Sequence, residues 1–175
     1  IRKISTPNKN GELGNVVLNL PTIKDYEERS PFFGAIIGRN AGRISEGVFS
    51  LNGETYTLAK NNGNNNLHGG IDSFGRKVWK AEELIGKNYI GVKLSIESPH
   101  LEEGFPGNVK VEVRYILKDN ELSIEYFGTT DRPTYLNLTN HTYFNLSGDF
   151  ERDITDEYLQ LDCNEFIAVD EATLP

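Results

Sequence analysis

The 175 residues contain no methionine, one cysteine, one tryptophan and three histidines, and no surplus of positive charge. Each shortage removes a class of protein. Without methionine the chain cannot begin at its own initiator. It is therefore expected to be part of a longer protein, incomplete at both ends. Cys163 cannot form an internal disulfide, so a reducing, cytoplasmic setting is expected. One Cys and three dispersed His supply no structural zinc cluster, and no metal is expected. Acidic residues outnumber basic ones by 26 to 18, a net charge of −8. A nucleic-acid partner would need clustered positive charge to displace counterions, so none is expected. No apolar run approaches the ~18 residues of a membrane-spanning helix, and no membrane partner is expected. There is no Gly-x-Ser-x-Gly elbow, phosphate-binding glycine loop or dinucleotide fingerprint, hence no expected cofactor. The neighbouring carboxylates Glu27-Glu28 and Glu102-Glu103 would point to opposite faces of a strand, which gives a two-carboxylate glycosidase no support.

What the sequence does contain is turn formers and period-two patterning. It has 18 Asn, 17 Gly and 7 Pro, which favours short strands joined by tight turns. Val92, Leu94 and Ile96 alternate with Lys93, Ser95 and Glu97. Val109, Val111 and Val113 alternate with Lys110, Glu112 and Arg114, and Leu122, Ile124 and Tyr126 resume the pattern beyond Asp119-Asn120. Such alternation predicts half-buried antiparallel strands. Asn52-Gly53 predicts a hairpin between Val48–Leu51 and Thr55–Leu58. Lys87-Asn88 predicts a turn between strands at Val78–Leu84 and Tyr89–Ser98. One helix is predicted over Phe32–Ile37, with Ser30 as its cap and Pro31 in its first turn. If that helix continued past Gly38, Arg39 and Arg43 would share a face. The expected architecture is a single all-β antiparallel domain, or part of one.

The histidines are the residues most suited to chemistry near neutral pH, since an imidazole ordinarily titrates at roughly 6.5. His68 lies in Asn66-Leu-His-Gly-Gly70, where paired glycines allow close backbone approach. It is equally a turn histidine facing water. His100, among Pro99, Glu102 and Glu103, reads as a solvated loop residue. His141 is the most informative. It lies in a strand-like stretch, Asn137–Gly148, where Asn140, Thr142, Tyr143 and Asn145 add more hydrogen-bonding groups than a surface strand needs. Such a face suits a polyhydroxylated ligand, with Tyr143 or Phe144 to stack on it. The plainer alternative is a polar strand edge. Three formal glycosylation sequons at Asn137, Asn140 and Asn145 would crowd such a site, which again favours a cytoplasmic setting.

Four stretches together resemble the aldose 1-epimerases, also called galactose mutarotases: Pro31–Ile44 with its Gly-Arg-Asn-Ala-Gly-Arg-Ile, Asn66–Gly70, Glu103–Asn108 and Asn140–Gly148. They occur in the family's order and spacing. The resemblance implies an antiparallel β-supersandwich, incomplete within residues 1–175, and an isomerase that interconverts the α and β anomers of a free hexose such as galactose or glucose. It implies His141 and His68 as catalytic-site histidines, with His141 protonating the ring oxygen and His68 orienting the sugar. Arg43, His68 and Tyr143 become the substrate-binding residues. Gly42 stands where some relatives carry Asn, and His100 stands where relatives commonly carry an acid, outside the site. The family's Glu base and a sugar-binding Asp have no counterpart here and are expected outside residues 1–175. The isolated chain is therefore expected to lack turnover. An aldose is the implied partner, with a homodimer the assembly considered. Two other readings remain: a hexose-phosphate mutarotase using Arg39 as an extra cation, and a non-catalytic sugar-binding domain of the same fold.

Overall fold

Period-two patterning can only become a sheet where turns return the chain at the right register. The protein, as a computed structural model describing residues 1–150 and 152–174, shows which segments meet that condition. In chain order its strands are β1 (Ser5–Pro7), β2 (Leu13–Asn15), β3 (Ile36–Ile37), β4 (Arg43–Ile44), β5 (Val48–Leu51), β6 (Glu54–Thr57), β7 (Asn66–Leu67), β8 (Lys80–Ile85), β9 (Ile90–Ser98), β10 (Val109–Lys118), β11 (Glu121–Thr130) and β12 (Thr139–Asn140). One α-helix, α1 (Ile23–Arg29), and three single-turn 3₁₀ segments complete the elements of the described residues. All pairs between these strands are antiparallel, and the all-β expectation holds. The residues group into two compact units, Gly38–Leu138 and a second made of Ile1–Ile37 with Thr139–Pro175.

In the first of these units the largest sheet has the order β11-β10-β9-β8. Asp119, at φ 52°, turns β10 directly into β11, pairing Lys118 with Glu121 and Val109 with Thr130. Gly86 donates from its N–H to Tyr89 O at 3.0 Å, closing the Lys87-Asn88 turn. Val109, Val111 and Val113 are buried and stand opposite Ser98, Ile96 and Leu94, so one face of the sheet is apolar. Tyr126, opposite Val113, shares that face, and burial pushes its hydroxyl up to about 12. Lys110, Glu112 and Arg114 take the other face, with the Arg114 guanidinium 4.6 Å from the Phe127 ring centre. The Asn52-Gly53 hairpin forms as expected between β5 and β6, both residues at positive φ (53° and 84°), as a tight two-residue turn requires. Phe49, Leu58 and Phe105 form a small core beside it. The strand expected at Val78–Leu84 begins later: Val78 is exposed and pairing starts at Lys80.

The other unit corrects the helix expectation. The helix lies earlier, over Ile23–Arg29, started by a capping box in which Thr22 accepts from the Asp25 N–H and Asp25 accepts from the Thr22 N–H. Ser30 ends this helix rather than starting one. Its Oγ does accept from the Phe33 N–H at 3.0 Å, as an N-cap would. The turn goes no further because Phe32 and Gly34 take positive φ (68° and 65°), outside helical space. The chain then straightens into β3, so Arg39 and Arg43 share no helix face. β3 pairs with β12, Ile37 facing Thr139 and Ile36 facing Asn140. The strand expected through Asn137–Gly148 is reduced to β12 and isolated bridges, one of which joins Phe144 to Val17. Among the described residues of this unit, Val16, Val17, Ile36 and Ile37 are the buried apolar ones.

Candidate functional site

In the Gly38–Leu138 unit, Arg43 and His68 are neighbours because β4 and β7 pair, Arg43 opposite Leu67. Beyond that pair the ladder continues by one reciprocal contact. His68 donates its N–H to Gly42 O at 3.0 Å, and Gly42 donates its N–H to His68 Nδ1 at 3.1 Å. An Nδ1 that accepts from a backbone N–H leaves the neutral imidazole proton on Nε2, so His68 is set up as an Nε2–H donor. Gly42 itself, at φ 87°, has open space where a Cβ would lie. The backbone of this position, not a side chain, orients the imidazole.

His68 sits at φ 55°, in the left-handed region, at the head of Gly69-Gly70. A Cβ on Gly69 would overlap the Gly38 carbonyl oxygen, and one on Gly70 would overlap the Glu103 carboxylate. The close approach expected of the paired glycines is thus real. Glu103 accepts from the N–H groups of Ile71 at 3.1 Å and Asp72 at 2.8 Å, holding the exit of the turn. On the entry side, Asn61 accepts from the Leu67 N–H at 2.7 Å and donates to Leu67 O at 2.9 Å and Gly70 O at 3.0 Å. Asn62 accepts from Arg43 Nε–H at 2.9 Å. Asn61, Asn62 and Glu103 were not singled out as site residues from sequence. In the sequence these asparagines are only part of the polar stretch Asn61-Asn-Gly-Asn-Asn-Asn66, and the fold shows what the Asn61 and Asn62 amides bond.

Arg39 overturns its sequence reading. It is neither a surface charge nor a cation available to a phosphate. It is 2% exposed, and its guanidinium donates to Ser98 Oγ at 2.9 Å, Ser98 O at 2.9 Å, Pro99 O at 2.7 Å and Pro106 O at 2.8 Å. Burial lowers its pKa from the usual arginine range, opposed by the charges of Glu102 and Asp131. Arg39 ties the β9 end to the Phe105-Pro106 turn. His100, in that same turn region, is exposed, and its Nδ1 accepts from the Gly107 N–H at 2.9 Å. Its contact is structural.

In the other unit the β3–β12 ladder carries His141. Its N–H donates to Ala35 O at 2.9 Å and its carbonyl accepts from the Gly34 N–H at 3.1 Å, so its backbone is fixed from both sides. The imidazole is half-buried among aromatic rings: Tyr143 at 4.9 Å between centres and Phe32 at 5.8 Å. Tyr143 also meets the edge of Phe33 at 5.0 Å, and its hydroxyl donates to Pro31 O at 3.3 Å. The structure therefore brings His141 and Tyr143 together. It removes Asn140 and Asn145 from the list of ligand-facing groups. Asn140 accepts from Thr142 N–H and donates to Gly34 O, while Asn145 is 5% exposed and bonded to Ser147 and Arg152. Among the described residues, no group of three or more His, Cys, Asp or Glu could hold a metal ion.

The chain is 39% identical over 175 residues to the galactose mutarotase of Sus scrofa, covering all of this chain and 50% of that protein. It is 36% identical over 170 residues to the aldose 1-epimerase of Escherichia coli (strain K12), covering 97% of this chain and 48% of that protein. The crystal structure of an aldose epimerase homologue from C. elegans superposes with a TM-score of 0.90 at 32% identity, covering 100% of this chain and 53% of that one. The chain thus spans about half the length of the curated relatives it matches. Among the described residues, no helix is long and apolar enough to cross a membrane. The sequence profile of the aldose 1-epimerases matches residues 1–175 from end to end, and the chain belongs to that family.

Proposed function

We propose that this chain supplies the acid and part of the sugar-binding surface of an aldose 1-epimerase acting on free hexoses such as galactose or glucose. The observation that carries the proposal is the β4–β7 ladder, which pairs Arg43 with Leu67 and leads into the contact where Gly42 N–H binds His68 Nδ1, leaving Nε2 as the donor nitrogen. A guanidinium and an imidazole Nε2–H are donors that suit the hydroxyl oxygens of a sugar. The Arg43 Nη–H groups would serve adjacent hydroxyls, and Tyr143 would line the sugar near His141. Sugar binding here draws on uncharged hydroxyl acceptors and needs no metal or nucleotide.

In this reading His141 is the general acid. It gives a proton to the ring oxygen as the bond from that oxygen to the anomeric carbon breaks. A carboxylate base, which the family resemblance puts outside residues 1–175, takes the anomeric hydroxyl proton. The hydroxyl oxygen becomes the aldehyde oxygen. After rotation about the first carbon–carbon bond, the ring oxygen attacks the other face, returns its proton to His141, and the base returns the other proton to the aldehyde oxygen. Nothing is consumed. A positioned acid or base typically contributes ~10²–10⁴-fold to rate.

The hexose-phosphate alternative loses its cation, since all the Arg39 bonds seen are spent inside the fold. A single partial β-supersandwich domain, a cytoplasmic location and a homodimeric assembly belong to this proposal as well. The test is polarimetry of galactose anomer conversion by the full-length protein and its His141→Ala variant. We expect a folded variant with kcat reduced by roughly 10²–10⁴. Near-normal kcat in that variant would remove His141 from the role of acid, and an inactive wild type would overturn the reading as a whole.

A further inference from the structure

We infer that the Asn61-Asn62 dipeptide positions both sugar-binding side chains of its unit, Asn61 through the His68 turn and Asn62 through Arg43. The inference rests on the proposed binding roles of Arg43 and His68. Two consecutive residues reach both groups because the chain reverses immediately after them. Asn62 N–H donates to Asn65 O at 3.1 Å and Asn65 N–H donates to Asn62 O at 3.0 Å, with Gly63 at φ 60° in the loop between. That reversal feeds directly into β7, so Asn61 lies alongside Leu67–Gly70 and Asn62 lies within reach of β4.

The two amides do different work. Asn62 uses its oxygen, which accepts from Arg43 Nε–H at 2.9 Å. An arginine is long and loses much rotamer freedom when it binds a ligand. Fixing Nε fixes the plane of the guanidinium and leaves the Nη–H donors set in advance, which lowers the ordering cost of sugar binding. Asn61 uses both ends of its amide. Its oxygen takes the Leu67 N–H and its nitrogen donates to Leu67 O and Gly70 O, spanning a turn whose central His68 is at φ 55°. The partners settle which end of each amide is which, because N–H groups face the oxygens and carbonyls face the Asn61 nitrogen.

This difference gives one substitution opposite consequences at adjacent positions. An aspartate keeps the acceptor and loses the donor. It should therefore satisfy Arg43 at position 62, while setting a carboxylate against two carbonyl oxygens at position 61. Both asparagines are positioning residues, so their loss should appear in KM more than in kcat.

The experiment is steady-state polarimetry on the full-length protein, with thermal unfolding recorded for each variant. Asn62→Ala should raise KM about tenfold, the scale of one lost hydrogen bond to a charged group, with kcat changed less than about threefold. Asn62→Asp should recover most of that loss. Asn61→Asp should raise KM about tenfold or more. If all three variants keep wild-type KM while Arg43→Ala and His68→Ala raise it, the positioning role is wrong and the binding assignment stands. If Arg43→Ala and His68→Ala also leave KM unchanged, the binding assignment fails and takes the inference with it. Should Asn61→Asp fail to fold, the Asn62 pair decides alone: equal KM in Asn62→Ala and Asn62→Asp overturns the role of the acceptor.

Discussion

The four-stranded sheet β8–β11 and the two-residue ladders β3–β12 and β4–β7 use the same antiparallel pairing to opposite ends. In the sheet, β10 and β11 pair over ten residues each, and the register follows from an alternation any reader of the sequence can see. The ladders pair two residues a side, too few for backbone bonding or patterning to set a register. They are held instead by exceptions: positive-φ residues, glycines pressed against carbonyls, and amide side chains that bond the backbone. The candidate chemistry sits on the ladders. A ladder can be re-aimed one side chain at a time, whereas a slip of one residue in the sheet would turn every buried valine outward.

The comparison is broken most forcefully at glycine. Gly69, beside the β4–β7 ladder, and Gly53, in the β5–β6 hairpin, have nearly the same φ, 87° and 84°. They differ in surroundings: a Cβ at Gly69 overlaps the Gly38 carbonyl, while one at Gly53 meets nothing within 4 Å. Gly53→Ala should cost only the left-handed strain, about 1–2 kcal/mol. Gly69→Ala adds a backbone overlap that cannot be relieved by a side-chain rotation, and should cost roughly 4 kcal/mol or more together with sugar binding. Urea unfolding of the two variants in the full-length protein checks this. Equal losses would mean that the ladder is no tighter than an ordinary hairpin.

The same contrast decides what could be read from sequence. The turns at Asn52-Gly53, Lys87-Asn88 and Asp119-Asn120 were legible because turn chemistry and alternation are local. The family resemblance, not local patterning, names Arg43, His68, Tyr143 and His141 as one set of site residues. The helix was misplaced because Ser30 does make a cap-like bond to Phe33, and nothing local announces that Phe32 will leave helical space. Arg39 was misread because its partners are 59 to 67 residues away in the chain. Asn61 and Asn62 were passed over for the same reason at shorter range. An asparagine that bonds backbone amides looks, in sequence, like any other polar residue in a loop.

Two histidines sharpen the comparison at intermediate size. His68 and His100 both accept a backbone N–H at Nδ1, from Gly42 and Gly107 respectively. Only His68 does so on a ladder beside Arg43. His68→Ala should lower kcat/KM by roughly 10–100-fold, the loss of an oriented donor and of the turn it anchors. His100→Ala should leave kcat/KM unchanged and affect stability alone. Matching losses in kcat/KM would show that a backbone-fixed histidine is a general feature of these turns and carries no information about the site.

The smallest effect lies in the sheet and concerns charge. Glu82 on β8 faces Lys93 across the strand pair and bonds it at 2.8 Å, with Lys80 at 2.9 Å on its own strand. Lys93, then Lys80, hold its carboxyl down to about 2 from an ordinary 4.5. A carboxylate whose folded pKa is depressed contributes stability that is fully present above about 4.5 and is lost as the pH falls through about 2. The Glu82 side chain is 41% exposed, so the contribution is small and salt-screened. By contrast, β4 and β7 pair through their backbones, braced by the Asn61 and Asn62 amides and the His68 imidazole, with the Glu103 carboxylate at the exit of the turn. Urea midpoints for wild type and Glu82→Gln should differ modestly at pH 7. They should converge as the pH is lowered from about 4.5 to about 2, and the gap at pH 7 should narrow in high salt. A gap that stays constant with pH would mean that Glu82 acts through packing, and that the sheet owes nothing to its cross-strand charges.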